Sequence, residues 1–307
     1  MKARWVVGRR RGEWPADPEP LPAPVIDNHT HLESIPDVLD DGVPDPGVLA
    51  QLERAAAVGV DAVVQIGCDL DAAEVSVRWA HEHTQIVAGV AIHPNEAVLH
   101  AGVREIAPDG LEPDPLPRHV ISLDDAIGRV AELARDPRVR TVGETGLDFF
   151  RAGERGRAAQ RESFRAHIAL AKELGLPMQI HDRDAHADVL EVLEADGAPE
   201  VTVFHCFSGD AEMAAVCAAR GYYLSFAGPV TFGSADVVRD AAAVVPGSQL
   251  LVETDAPYLT PAPHRGAPNA PYLLPLTVRR LAEVRGDDLR ALCETLHANA
   301  SRLYGPW

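Results

Sequence analysis

The sequence predicts an α/β fold, a single (β/α)8 TIM-type barrel. Three observations carry this. Eight short apolar runs alternate with stretches of helical period, no block is left over after the eighth pair, and the 307-residue chain suits one barrel of this type. Hydrophobic residues make up 46% of the chain and charged residues 24%, values that exclude a disordered, collagen-like or fibrous protein.

Residues 1–24 read as a polar, proline-rich and flexible lead-in, and 25–307 as the barrel. The first strand is Val25-Ile26-Asp27-Asn28-His29, followed by a helix from Pro46 to Gly59. Strand 62–67 precedes helix 71–84, and strand 86–92 follows. A segment rich in proline and acidic residues, 101–121, breaks the rhythm and reads as an insertion. A helix then starts with Ser122 as its N-cap. The second half is more regular. Strand 139–144 leads to a long helix, 154–174, that stops at Gly175. Strand 177–181 leads to helix 185–195, strand 201–206 to helix 211–220, and strand 222–228 to helix 235–245. Strand 249–255 leads to helices 274–285 and 287–302. These strands are apolar on both faces, as buried parallel strands are.

The net charge of −18 disfavours a protein that holds nucleic acid passively by charge. It leaves room for a metalloenzyme, because bound divalent cations supply positive charge locally. Lys2 and Lys172 are the only lysines, so arginine carries nearly all of the 28 basic charges. The four cysteines, Cys68, Cys206, Cys217 and Cys293, are far apart and form neither a CxxC pair nor a disulfide framework. The arginine-rich start lacks the apolar core of an export signal, and no run approaches a membrane span. A cytoplasmic protein without a membrane partner is the expectation, and no protein partner is inferable.

Histidine, glutamate and aspartate recur where strands end: His29 and His31, Glu144, His181, His205 and Asp255. In a barrel these ends share one face, where active sites form. His29-x-His31 places two imidazoles on one side of a strand, as ligands of one divalent metal. Taken alone, the pair equally suits two unrelated loop histidines. His81-x-His83 is an internal control: in a helix, positions i and i+2 diverge, so that pair belongs to a solvated helix end. A core histidine at His181 or His205, a barrel salt bridge at Glu144 and a helix cap at Asp255 are the bland alternatives. Six such groups at strand ends of one barrel favour a metal centre, with Asp255 as a ligand or general base.

Together these segments resemble the TatD-type metal-dependent deoxyribonucleases of the amidohydrolase-like barrel superfamily. The resemblance rests on His29-x-His31 after Val-Ile-Asp, Ala-Ile-His93-Pro94, Val-Gly-Glu144-Thr-Gly-Leu-Asp148, Gln-Ile-His181-Asp-Arg183, Phe-His205-Cys-Phe-Ser-Gly and Glu253-Thr-Asp255-Ala-Pro-Tyr-Leu. It runs from about residue 25 to the end of the chain. It implies metal ligation by His29, His31, Glu144, His181, His205 and Asp255. His29 and His31 would serve one ion with Asp255, and His181 and His205 a second, with Glu144 bridging. Two divalent ions (Mg²⁺, Mn²⁺ or Zn²⁺) are therefore the expected cofactors, and Asp255 and Glu144 the catalytic carboxylates. His93, Arg183, His264 and Arg265 are expected to contact substrate phosphate. The implied activity is hydrolysis of DNA phosphodiester bonds from strand ends, with DNA as substrate rather than stable partner. Ala270, in Asn269-Ala270-Pro271, stands where the family has glutamate. That departure and the acidic charge keep open a metallohydrolase of a small ester, amide or aminoacyl-tRNA-type substrate.

Overall fold

A strand buried on both faces excludes polar side chains except where they have work to do, and the strands of this protein follow that rule. The computed structural model describes residues 13–307. Eight strands form one sheet in sequential order: β1 (Val25–Thr30), β2 (Val60–Gly67), β3 (Ile86–Val90), β4 (Val139–Asp148), β5 (Met178–Arg183), β6 (Thr202–Phe204), β7 (Tyr223–Phe226) and β8 (Leu250–Val252). The bridge from Thr30 to Ala256 and the bond from Asp255 N–H to the His29 carbonyl (3.0 Å) bring the last strand back beside the first. That order, with a return to β1, is the (β/α)8 barrel topology.

The helices are α1 (Ile35–Val38), α2 (Gly47–Ala57), α3 (Leu70–Glu82), α4 (Pro94–His100), α5 (Leu123–Leu133), α6 (Glu154–Leu174), α7 (His186–Asp196), α8 (Ala211–Ala219), α9 (Asp236–Val244), α10 (Leu274–Arg285) and α11 (Leu289–Tyr304). Local chemistry sets several ends. The Ser122 hydroxyl accepts from Asp125 N–H at 3.1 Å and starts α5, while Asp210 and Asp288 cap α8 and α11 in the same way. α6 stops where Gly175 turns left-handed, at φ 64°.

The chain divides into two compact units. The first comprises the described residues of 1–65, with 83–86 and 205–307. In it β1 pairs in parallel with β2 (Val25 opposite Val60) and β7 with β8 (Leu224 opposite Leu250). Its core includes Val25, Ile26, Phe226, Leu250, Tyr272 and Tyr304, all essentially excluded from solvent. The second unit comprises 66–82 and 87–204. There β3 pairs with β4, β4 with β5 and β5 with β6, over a core that includes Val90, Leu147, Phe164, Met178, Ile180 and Phe204.

The lead-in differs from expectation in its second half. Residues 13–24 hold specific contacts within the first unit. Tyr272 Oη donates to the Pro15 carbonyl (2.9 Å), Trp14 Nε1 to the Pro44 carbonyl (2.9 Å), and Leu21 N–H to the Val58 carbonyl (3.0 Å). Arg54 lies 3.5 Å over the Tyr272 ring and pairs with Asp17. Proline-rich composition marked this stretch as non-regular; it did not reveal the Trp, Tyr and Leu anchors that dock it. The expectation of flexibility for 1–12 lies outside the described residues.

Candidate metal centre

In the first unit the end of β1 delivers His29 and His31 on one side of the strand, as the HxH spacing requires. His205 follows Phe204, and Asp255 sits three residues beyond β8 at φ 50°, a left-handed conformation that costs a non-glycine residue energy and marks a constrained site. The His29 and His205 rings stack with centroids 4.0 Å apart. His29 Nε2 and His31 Nε2 are 3.1 Å apart, and Asp255 Oδ1 lies 3.4 Å from His31 Nε2 and 4.0 Å from His29 Nε2. Burial works to raise the Asp255 carboxyl, but the bond with His31 and the charge of the nearby imidazoles hold it below the ordinary range. It is therefore an anion facing ring nitrogens.

Behind these groups stands a second layer of carboxylates. His205 Nδ1 donates to Glu253 Oε1 (3.1 Å), which also accepts from Cys206 N–H (2.8 Å). This bond fixes the tautomer and leaves His205 Nε2 as the coordinating atom. Asp27 accepts from Thr254 N–H (2.9 Å) and from the Thr254 hydroxyl. Burial lifts Asp27 to about 7 against the opposing bonds from Thr254.

In the second unit β4 and β5 place Glu144 and His181 together, with His181 Nδ1 bonded to Glu144 Oε1. His93, the N-cap of α4, has its Nε2 3.5 Å from Glu144 Oε1. His93 Nδ1 accepts from Asn95 N–H (3.1 Å), so the neutral ring carries its proton on Nε2 and faces Glu144 as a donor. His181 Nε2 lies 3.5 Å from Asp148 Oδ2, whose position is fixed by Asn95 Nδ2 at 3.1 Å. Burial alone would lower His181; the negative charge of Glu144 and the bond to Asp148 outweigh it and raise it to about 9. Burial likewise works to raise Asp148, but His181 holds it down at about 2.

His29, His31 and Asp255 form one group of potential ligands with donor atoms within 4.8 Å of one another, and His93, Glu144 and His181 form another. Paired imidazole and carboxylate donors, backed by further carboxylates, fit a divalent metal ion. Of the phosphate-contact candidates, His93 lies in the second of these groups, whereas Arg183, His264 and Arg265 are in neither. Arg183 lies 4.0 Å over the Phe150 ring, Arg265 lies 4.1 Å over Phe232 and is exposed, and His264 is half-buried. His81 pairs with Asp136 (2.9 Å) at a solvated helix end, as its spacing required.

Sequence reading quoted Asp148 and Glu253 within motifs without giving them a role, and gave none to Asn95 or Asp27. A signal existed for Glu253, since it precedes Asp255 by two positions in an otherwise apolar run. Its charge had no apolar explanation.

A sequential eight-stranded sheet with histidine and carboxylate groups at its strand ends is the architecture of a (β/α)8 protein built to hold metal. Residues 26–305 match the family model described as TatD related DNase, and the chain belongs to that family. It is 43% identical over 288 residues to an uncharacterized metal-dependent hydrolase, TatD, of Mycobacterium tuberculosis, covering 92% of this chain and 98% of the relative. It is 30% identical over 259 residues to the 3'-5' ssDNA/RNA exonuclease TatD of Escherichia fergusonii, covering 82% of this chain and 90% of the relative. The crystal structure of a TatD homologue from Escherichia coli K12 superposes with a TM-score of 0.76 at 24% identity, covering 92% of this chain and 98% of that one, which shows the shared fold.

Proposed function

We propose that this protein hydrolyses phosphodiester bonds of single-stranded DNA, removing nucleotides from strand ends with the help of two divalent ions. The observation that carries the reading is the pairing of His29, His31 and Asp255 in one group and His93, Glu144 and His181 in another. Family resemblance adds His205 to the ligands and assigns Glu144 to both ions. Bound divalent ions of the Mg²⁺, Mn²⁺ or Zn²⁺ type polarise a phosphoryl oxygen and make water nucleophilic near neutral pH. Four imidazole ligands, His29, His31, His181 and His205, favour Mn²⁺ or Zn²⁺ over Mg²⁺.

The chain's own groups divide the remaining work. Asp255, anionic and turned toward His31, takes a proton from the attacking water. His93, whose ring proton is on Nε2 beside Glu144, serves as a substrate-phosphate contact at the edge of the site rather than as a ligand. Arg183, His264 and Arg265 hold flanking phosphates, so DNA binds as a substrate in transit. Glu253 keeps His205 in its ligand tautomer throughout.

The net charge of −18 and Ala270 favour a second reading, a metallohydrolase of a small ester, amide or aminoacyl-tRNA-type substrate. We place the protein in the cytoplasm; no described helix is long and apolar enough to cross a membrane. The two readings separate when the Mn²⁺-loaded protein is incubated with 3′- and 5′-labelled single-stranded DNA beside a panel of small esters. Progressive shortening from one labelled end supports the nuclease. Fast ester turnover with intact DNA overturns it.

A further inference from the structure

A second histidine–carboxylate group lies where the 101–121 insertion meets α4, in the second unit. Glu96 and His100 are four residues apart on α4 and so share a face. His119 comes from the short 3-10 turn Pro117–Val120 at the end of the insertion. All three are buried, and their candidate ligand atoms lie within 4.8 Å of one another. The imidazoles of His100 and His119 meet edge to face at 4.8 Å.

The protons of this group can be placed. His100 Nδ1 donates to the Ile121 carbonyl (3.1 Å), so the neutral ring's lone pair is on Nε2. That Nε2 is buried, in a residue only 5% exposed, and has no hydrogen-bond partner among the described residues. A buried acceptor left unpaired destabilises the fold unless something binds it. Burial also pushes His100 below its ordinary value, so the ring does not relieve that cost by taking up a proton near neutrality. Burial works to raise Glu96, but bonds from His119 and Arg118 hold it down at about 2, so it is an anion. Its Oε2 accepts from Arg118 Nε and His119 Nε2, both at 2.7 Å. Arg118, which bonds Glu96, is shared with Asp69 (3.0 Å) and Asp71 (3.5 Å), so acidic groups surround it.

We propose that Glu96, His100 and His119 bind one borderline divalent cation, with Zn²⁺ the best-suited occupant, at a site whose ligands are distinct from those of the candidate metal centre. Two imidazoles and a carboxylate are ordinary zinc donors, with bonds of about 2.0–2.2 Å. His100 Nε2 and a Glu96 carboxylate oxygen are ready as they stand. His119 is not: its Nδ1 accepts from Leu116 N–H (2.7 Å), which puts its proton on Nε2. Coordination shifts that proton to Nδ1 and breaks the Leu116 bond. Zinc thus exchanges the cap of the 117–120 turn for a direct tie between the insertion and α4. The site is structural, since it carries no group placed in the hydrolytic machinery.

The test uses the full-length protein, stripped with chelator, titrated with ZnCl₂ and desalted before zinc per chain is counted by elemental analysis. His100→Gln is expected to retain one zinc per chain fewer than wild type, with hydrolytic activity unchanged when the Mn²⁺-loaded proteins are compared. Loss of a ligand should weaken this site at least about tenfold. Equal zinc counts in the two proteins overturn the proposal. A second measurement needs no variant. In wild-type protein, zinc should slow tryptic cleavage after Arg104 and Arg118 at least fivefold relative to cleavage elsewhere, because it ties down both flanks of the insertion. An unchanged cleavage rate in the insertion overturns the proposal even if His100→Gln fails to fold.

Discussion

The two ligand groups of the candidate metal centre are organised by different forces. In the first unit, imidazoles are held by one another: His29 stacks on His205, and Glu253 locks His205 from behind. In the second unit His181 is gripped between the carboxylates Glu144 and Asp148, with His93 edge-on to it at 4.6 Å. Ring packing and outer hydrogen bonds hold the imidazoles of the first group, and charge enters mainly through Asp255. The second is an ion-pair cluster whose geometry depends on opposite charges. Pre-organisation by packing and pre-organisation by charge are thus found in one chain, and they should respond differently to mutation.

The largest effect is expected from the inner carboxylates. Asp255→Ala and Glu144→Ala should each lower kcat by about 10²–10⁴-fold. Glu144→Ala should also lose metal, because the proposed function assigns it to both ions; full activity in that variant would remove its bridging role. Elemental analysis beside turnover reads both quantities.

A buried histidine outside both groups tests whether burial in the second unit acts without metal. His167 Nδ1 donates to the Ser163 carbonyl (2.7 Å), and its Nε2 accepts from Ile92 N–H (3.1 Å), so the folded protein holds a neutral ring. Burial lowers it from 6.5 to about 4. The unfolded chain binds a proton below about pH 6.5 while the folded chain resists down to about 4, so His167 favours folding above that window and loses its advantage as pH falls through it. The loss approaches about 3 kcal/mol at its limit. Denaturant unfolding of wild type and His167→Gln at pH 7.5 and 4.5 should show the gap between them narrowing by about 2 kcal/mol at the lower pH. A gap independent of pH contradicts the assignment.

Removing residues 1–24 should destabilise the first unit by about 2–3 kcal/mol, on the order of 1 kcal/mol for each docked hydrogen bond. A thermal midpoint indistinguishable from wild type would show that the Trp14, Pro15 and Leu21 contacts contribute nothing.

The smallest effects sharpen the comparison most. Glu253→Gln should weaken metal binding by about 10–100-fold, as loss of an orienting carboxylate does. Asp148→Asn should weaken it less, because His181 keeps its bond to Glu144. Equal losses, read by competition with a chelator, would show that the two groups are not organised differently.

Much of this was legible in the sequence. All eight strands lie within a few residues of their expected places, and α6 runs over 154–174 as read, because apolar runs and end signals such as Gly175 are local. The HxH pair was readable because strand geometry alone puts both rings on one side. What was not readable depends on contacts far apart in the chain. α4 was missed because its seven residues follow directly on an apolar strand. The role of Glu253 depends on His205, 48 positions away, and the anchoring of 13–24 depends on Arg54 and Tyr272. The 101–121 insertion was visible as a break in rhythm, but its His119–Glu96 bond was not.

The bond between Asp255 and His29 also sets an order of events during protein synthesis. The two strand ends that meet there are separated by 226 positions, and their partner His205 also lies far downstream of His29. At about 5–20 residues per second, a ribosome needs roughly 10–45 s to make the intervening chain. During that time His29 and His31 have emerged without Asp255, so the growing chain cannot assemble their complete ligand group. In the proposed enzyme, metal capture at this group is therefore a late step, coupled to the pairing of the last strand with the first, and a chain truncated before residue 250 should not assemble the group however well its earlier strands fold.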